Sequence, residues 1–150
     1  MKIAYHVGRI VFGLWFLYAG IEFFLPYDLQ PIGENPLTQE FTLALIHSGF
    51  MTWVKLAEIV IGIFVLLNRA MPLTMAACAP ITFVIAYWNF VLEPGVVEYV
   101  FGVATVALNI FLLLPYRAYW LPMFIWRAKP DYGLSLSAGL VAIKLSSEHY

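Results

Sequence analysis

Four predominantly apolar runs, each closed by a proline or a tight turn, constrain this chain more than any other feature. They cover about Ile3–Leu25, Met51–Leu67, Met71–Leu92 and Val96–Leu114. A bilayer core about 30 Å thick takes about 20 apolar residues as a helix, and only helices and closed barrels satisfy their own backbone there. Pro26, Asn68-Arg69, Glu93-Pro94-Gly95 and Pro115 interrupt the runs where such helices must end. The short turns make consecutive helices antiparallel neighbours. The expected fold is all-α, a polytopic membrane protein with a four-transmembrane-helix bundle over residues 1–115 and an interfacial segment and tail over 116–150.

The composition agrees, with 63% hydrophobic and 11% charged residues against about 45–50% and 25% in soluble domains. A formal net charge of -1 gives nucleic acid nothing to bind. The single cysteine, Cys78, cannot form an internal disulfide, a redox pair or a thiolate cage. His6, His47 and His149 fall too far apart to share a metal, and no zinc, serine-nucleophile or phosphate-loop motif occurs. No metal site is expected, and a quinone is the one cofactor for which the chain offers candidate walls.

Between the first two runs lies an acidic loop, Pro26–Glu40, with Asp28, Glu34 and Glu40. Asn35-Pro36-Leu37-Thr38 followed by Glu40 is a good helix start, and Gly49 a good stop. A short helix here, about half a span long, would lie on the outer face or re-enter the membrane. The charges set the sides. Lys2, Arg9, Arg69, Arg117, Arg127, Lys129 and Lys144, seven of the eight Lys and Arg residues, fall on one side, and Asp28, Glu34, Glu40, Glu93 and Glu98 on the other. The positive-inside rule puts the basic side and both termini in the cytoplasm of a bacterial inner membrane. Arg9 is expected to snorkel to the headgroups. After Pro115, Tyr116, Tyr119, Trp120 and Trp126 alternate with Arg117, Arg127 and Lys129, an interfacial mixture. Residues 131–150 leave an edge strand, a partner contact and a free tail all open.

Inside the second run sits a carboxylate, Glu58. A charge at bilayer depth costs about 2.5–3.5 kcal/mol on insertion scales, so it must face protein, water or a partner. Lys55 and Gly62, at i−3 and i+4, share its face. Lys55 can neutralise it, and together they are the candidates for proton handling. Gly62 admits a close neighbour. The other helices carry comparable stripes: Trp15, Tyr18 and Glu22; Thr82, Asn89 and Glu93; Glu98, Gly102, Thr105 and Asn109. Facing inward, these would form a pocket open to the acidic side with Glu58 at its floor, walled by Trp15, Trp53 and Trp88 for a flat ligand such as a quinone. The stripes read equally as interhelical polar contacts or as a surface for a protein partner.

Arg9–Gly20 (RIVFGLWFLYAG), Lys55–Arg69 (KLAEIVIGIFVLLNR) and Tyr87-Trp88-Asn89-Phe90 together form a pattern that resembles the DoxX family. The resemblance implies a four-helix membrane protein acting as an accessory subunit, often of a redox system. Its relatives include a membrane subunit of a thiosulfate:quinone oxidoreductase, a maturation factor for methylamine dehydrogenase, partners of oxidative-stress enzymes and a eukaryotic cargo receptor. The expected function is an accessory or scaffolding subunit of a larger inner-membrane complex, respiratory or photosynthetic, touching lipid and other membrane subunits or a second copy of itself. The alternative is a quinone-linked oxidoreductase subunit, or a binder of a small apolar molecule, built around Glu58.

Overall fold

The computed structural model describes residues 2–26, 30–124, 126 and 127. Asp28, Lys129, Lys144, His149 and the tail over 131–150 lie outside the described residues.

The first apolar run forms α1, Lys2–Glu22. It ends short of Leu25 because Pro26 bars its predecessor from helical geometry. The last amides tighten instead, Phe24 N–H donating to the Ile21 carbonyl at 3.0 Å and Leu25 N–H to that of Glu22 at 3.2 Å. The short helix α2, Pro36–His47, starts as the sequence implies, with the Asn35 side chain accepting from Leu37 N–H at 3.1 Å and proline in the first turn. At Gly49, whose φ of 75° suits a residue without a Cβ, the chain turns into α3, Phe50–Leu66. The two axes differ by 83°. α4, Met71–Tyr87, runs unbroken past Pro80 and continues as a π-helical segment, Trp88–Leu92. α5, Val96–Leu113, passes through a 3₁₀ turn at Leu114–Tyr116 into the four-residue α6, Arg117–Trp120.

The chain divides into Met1–Trp120 and a second unit, Leu121–Tyr150, whose described part contains a 3₁₀ turn at Leu121–Phe124. Residues 116–120, just after Pro115, still belong to the first unit. Tyr116 hydroxyl lies 3.0 Å from that of Tyr5, and Trp120 Nε1 donates to the Leu113 carbonyl.

Among the described residues three helices are long and apolar enough to cross a membrane: α1, α4 with its π-helical continuation, and α5 with the turns that follow it. The 17-residue α3 completes the bundle, reaching spanning length with α2 as a bent pair. The directions follow from the contacts. Arg9 reaches Val65 and Leu66, Gly13 abuts Leu66, and Gly20 abuts Ile59, so α1 and α3 are antiparallel. Asn109 meets Met75 while Gly102 meets Asn89, so α4 and α5 are antiparallel too.

The bundle is two tight pairs set side by side. α1 and α3 close through Gly13, Gly20 and Gly62, and α4 and α5 meet at Gly102. Toward the basic end Phe12, Phe16, Ile61, Val65, Met71, Met75, Cys78 and Leu112 fill the space between the pairs. Arg9 does not reach for headgroups. Its Nη1 donates to the Val65 and Leu66 carbonyls at 2.7 and 2.6 Å, in the last turn of α3. That turn is where helical carbonyls lack partners and a cation is favoured.

At the acidic end α2 is pinned across the bundle. Thr38 hydroxyl donates to the Leu92 carbonyl at 2.6 Å, and Trp88 Nε1 donates to Thr42 Oγ1 at 3.1 Å. The Glu93 carboxylate accepts from the backbone N–H of Glu34 at 3.0 Å and of Asn35 at 3.1 Å. The Glu34 amide above all, with that of Asn35, holds the Glu93 carboxyl below its usual range. A depressed folded value means that this anchor is complete above the ordinary glutamate value, about 4.3, and is lost as pH falls through the lower folded one. Amide protection in the first turn of α2, as hydrogen-exchange protection factors, should therefore hold from pH 7 to about 5 and drop in more acidic solution. Glu93→Gln should show the reduced protection already at pH 7. A flat profile into the acid range would mean that Glu93 does not anchor the helix.

Candidate functional site

Between the two pairs, on the acid side of the apolar core, the helices form a partly open cavity of about 550 Å³. α2 lies over it. Its walls come from every element that reaches this end: Trp15 of α1, Phe41 and Thr42 of α2, Lys55 and Glu58 of α3, Val84 of α4, Trp88 and Asn89 of the π-helical segment, and Phe101 of α5. The void exists because bulky side chains do not meet in the middle here. Deeper in the bundle, glycine contacts and the Phe12–Phe16 stack, 4.4 Å between ring centroids, close it.

The one ion pair among the described residues lies in this wall. Lys55 Nζ donates to Glu58 Oε2 at 3.0 Å, and the two residues are 6% and 4% exposed. Their i, i+3 spacing brings them together on one face of α3, and Glu58 sits about 12 Å from the helix start at 1.5 Å per residue. Among the described residues no other hydrogen bond restrains either group, which leaves two ammonium hydrogens and Glu58 Oε1 for whatever enters.

Six of the residues singled out from the sequence meet here: Trp15, Lys55, Glu58, Trp88, Asn89 and Glu98. The others do not line the cavity. Tyr18 is 62% exposed on the outside of α1, and Trp53 is 71% exposed on α3. Glu22 is the last residue of α1 and forms no part of the wall. Gly62 is packed against Leu17 and the Gly13 carbonyl. Thr105 is fully buried and donates to the Phe101 carbonyl at 2.8 Å, while Asn109 donates across to the Met75 carbonyl at 3.4 Å. These last two serve as polar contacts within and between helices. Asn89 lines the cavity yet spends its amide on the Ile85 carbonyl at 2.7 Å, which leaves its carbonyl oxygen for the interior.

Sequence reasoning missed Gln30, Thr42, Phe101 and the apolar wall of α4. Gln30 and Thr42 come from non-periodic segments. Phe101 had a signal, its place one turn before Thr105 on the polar stripe of α5. It meets Trp15 edge to face, 5.6 Å between centroids, across the α1–α5 boundary. Among the described residues no group of three His, Cys, Asp or Glu converges to hold a metal ion.

The chemistry available is therefore binding and proton exchange: flat aromatic faces, an apolar volume, and an ammonium and a carboxylate at one spot. The sequence matches the DoxX family model over residues 4–92, more than half of the chain. The match includes the whole wall except Val97, Glu98 and Phe101 of α5. No curated protein and no solved structure matches the chain.

Proposed function

The chain belongs to the DoxX family of small integral membrane proteins, and from that premise we propose that it is a ligand-binding membrane subunit. Its cavity would hold the head of a small, mostly apolar molecule with one or two acceptor oxygens, and a quinone head is the class that suits it. The observation that carries this proposal is the buried Lys55–Glu58 pair in the wall of an otherwise apolar cavity of about 550 Å³. Ligand pockets typically measure about 300–1,000 Å³ and combine apolar walls with few polar groups. The free Lys55 hydrogens are donors for a ligand oxygen, and Glu58 keeps the site near neutrality. Trp15 and Trp88 supply faces for a flat ring.

These side chains can orient an oxygen and exchange a proton with it, but the electrons of a redox reaction would have to come from elsewhere. The proposal therefore makes the chain an accessory subunit of a larger complex in the bacterial inner membrane. The basic end and both chain termini would lie in the cytoplasm and the cavity toward the outside.

In mild detergent, a tail-free benzoquinone should quench tryptophan fluorescence saturably, and Trp88→Phe should remove a large share of the quenching. Lys55→Met/Glu58→Leu should weaken binding at least ten-fold. Quenching without saturation rejects the site, and saturation untouched by the double substitution rejects the role of the pair.

A further inference from the structure

The cavity has two boundaries of opposite chemistry. Toward the acidic end, α2 is fastened by the Thr38–Leu92, Trp88–Thr42 and Glu93–Glu34/Asn35 hydrogen bonds. Displacing α2 requires breaking them. Between α3 and α4 the boundary is different. Among the described residues no hydrogen bond joins the two helices. Phe50 of α3 with Pro80 and Val84 of α4 line the cavity and are also exposed on the outside of the bundle. These are membrane helices, so what they expose faces acyl chains. Opening this seam means moving apolar side chains against lipid, with no polar group losing a partner.

Taking the cavity as a ligand site, we propose that its ligand is a long-chain amphiphile that enters and leaves through the α3–α4 seam, from within the bilayer. The polar head reaches Lys55 and Glu58, while the apolar tail lies between Phe50 and Val84 and continues into lipid. The tail concentrates the ligand in the membrane, which is where the seam opens. The fastened α2 meanwhile keeps the head's surroundings out of water, which strengthens the ion pair's hold on an oxygen. The α1–α3 and α4–α5 boundaries are closed by glycine contacts, and at the α1–α5 boundary the Trp15 and Phe101 rings meet edge to face, 5.6 Å between centroids.

Two readouts separate this route from the identity of the head. In phosphatidylcholine vesicles containing a lipid with a diazirine on its acyl chain, photolysis and peptide mapping should label Phe50 and Val84. They should also label Val54 and Ile85, which line the interior. Leu73, exposed on α4, is the control for ordinary lipid contact. Labelled Leu73 with silent Val54 and Ile85 overturns the route. In the same vesicles, Val84→Trp should lower affinity for a long-chain isoprenoid quinone at least ten-fold more than for its tail-free analogue. Equal losses, or no loss, overturn the proposal. Glu93→Gln, which loosens α2 without touching the cavity wall, should leave the long-chain association rate within two-fold. A five-fold or greater acceleration would place entry under α2 and overturn the seam. If the wild type binds neither quinone while Val54 and Ile85 are labelled, the quinone head falls and the route from the bilayer stands.

Discussion

Gly62→Leu should leave little folded protein, because α1 and α3 are in backbone contact at this residue. A Cβ added at Gly62 would lie 2.7 Å from the Leu17 amide nitrogen, 2.9 Å from the Gly13 carbonyl oxygen and 3.0 Å from Leu17 Cα. None of these atoms can rotate aside, so the helices must separate along their length, and the Gly20 and Arg9 contacts on either side go with them. Overpacking costs typically about 1–3 kcal/mol per site and occasionally more. Backbone neighbours put Gly62 at the upper end of that range, and helix propensity returns about 1 kcal/mol when glycine becomes alanine, so Gly62→Ala should lose about 2 kcal/mol net.

The ranking is a sharper test than any one value. Gly20→Ala should behave like Gly62→Ala, since its Cβ would meet the Lys55 carbonyl at 2.8 Å and the Ile59 amide at 2.9 Å. Gly13→Ala should cost less, because its nearest neighbour is the rotatable Leu66 side chain at 2.8 Å. Gly8→Ala should be neutral or stabilising, its Cβ making ordinary contact with Phe111 at 3.4 Å. Thermal unfolding in detergent, followed by size exclusion, reads the order. A Gly62→Ala protein that melts with the wild type would contradict the close pair.

Much of this architecture was legible in the sequence, for identifiable reasons. Run length and hydropathy fix a span without reference to anything else in the chain. The Asn35 cap and the Gly49 corner are local chemistry, and so is the Lys55–Glu58 pair, which depends only on one turn of helix. What periodicity cannot supply is where a bundle is hollow. Gly62, Thr105 and Asn109 share helical faces with cavity residues, but they sit deeper, where side-chain volumes on other helices close the space. Tyr18 shows the limit of the i, i+3 rule. Three residues turn a helix by about 300°, and the remaining offset from Trp15 is enough to carry Tyr18 to the outside.

The π-helical segment at Trp88–Leu92 was not legible either. Its i+5 bonds, such as Glu93 N–H to the Trp88 carbonyl at 2.8 Å, leave no residue pattern. Yet that segment aims Trp88 at Thr42 and presents the Leu92 carbonyl to Thr38. The capping of α3 by Arg9 escaped for another reason: it is a contact between residues 56 and 57 positions apart.

Lys55→Met alone should cost about 3–5 kcal/mol, the usual penalty for stranding one member of a buried ion pair. Lys55→Met/Glu58→Leu should return to within about 1 kcal/mol of the wild type or exceed it. The asymmetry comes from desolvation. Both groups have left water, being under a tenth exposed, and their 3.0 Å contact offsets that loss only while both are present. Removing the cation leaves a carboxylate facing an apolar cavity, whereas removing both eliminates the two desolvation penalties together. Unfolding free energies for the wild type, both singles and the double give the coupling directly, and it should be at least about 2 kcal/mol. A Lys55→Met protein as stable as the wild type would mean that Glu58 stands in water and that the cavity wall is not closed around it. The double variant then separates structure from function. If the pair only holds α3 in place, a stable double variant should bind the tail-free quinone as the wild type does. If the pair is there for a ligand, the double variant should be folded and empty.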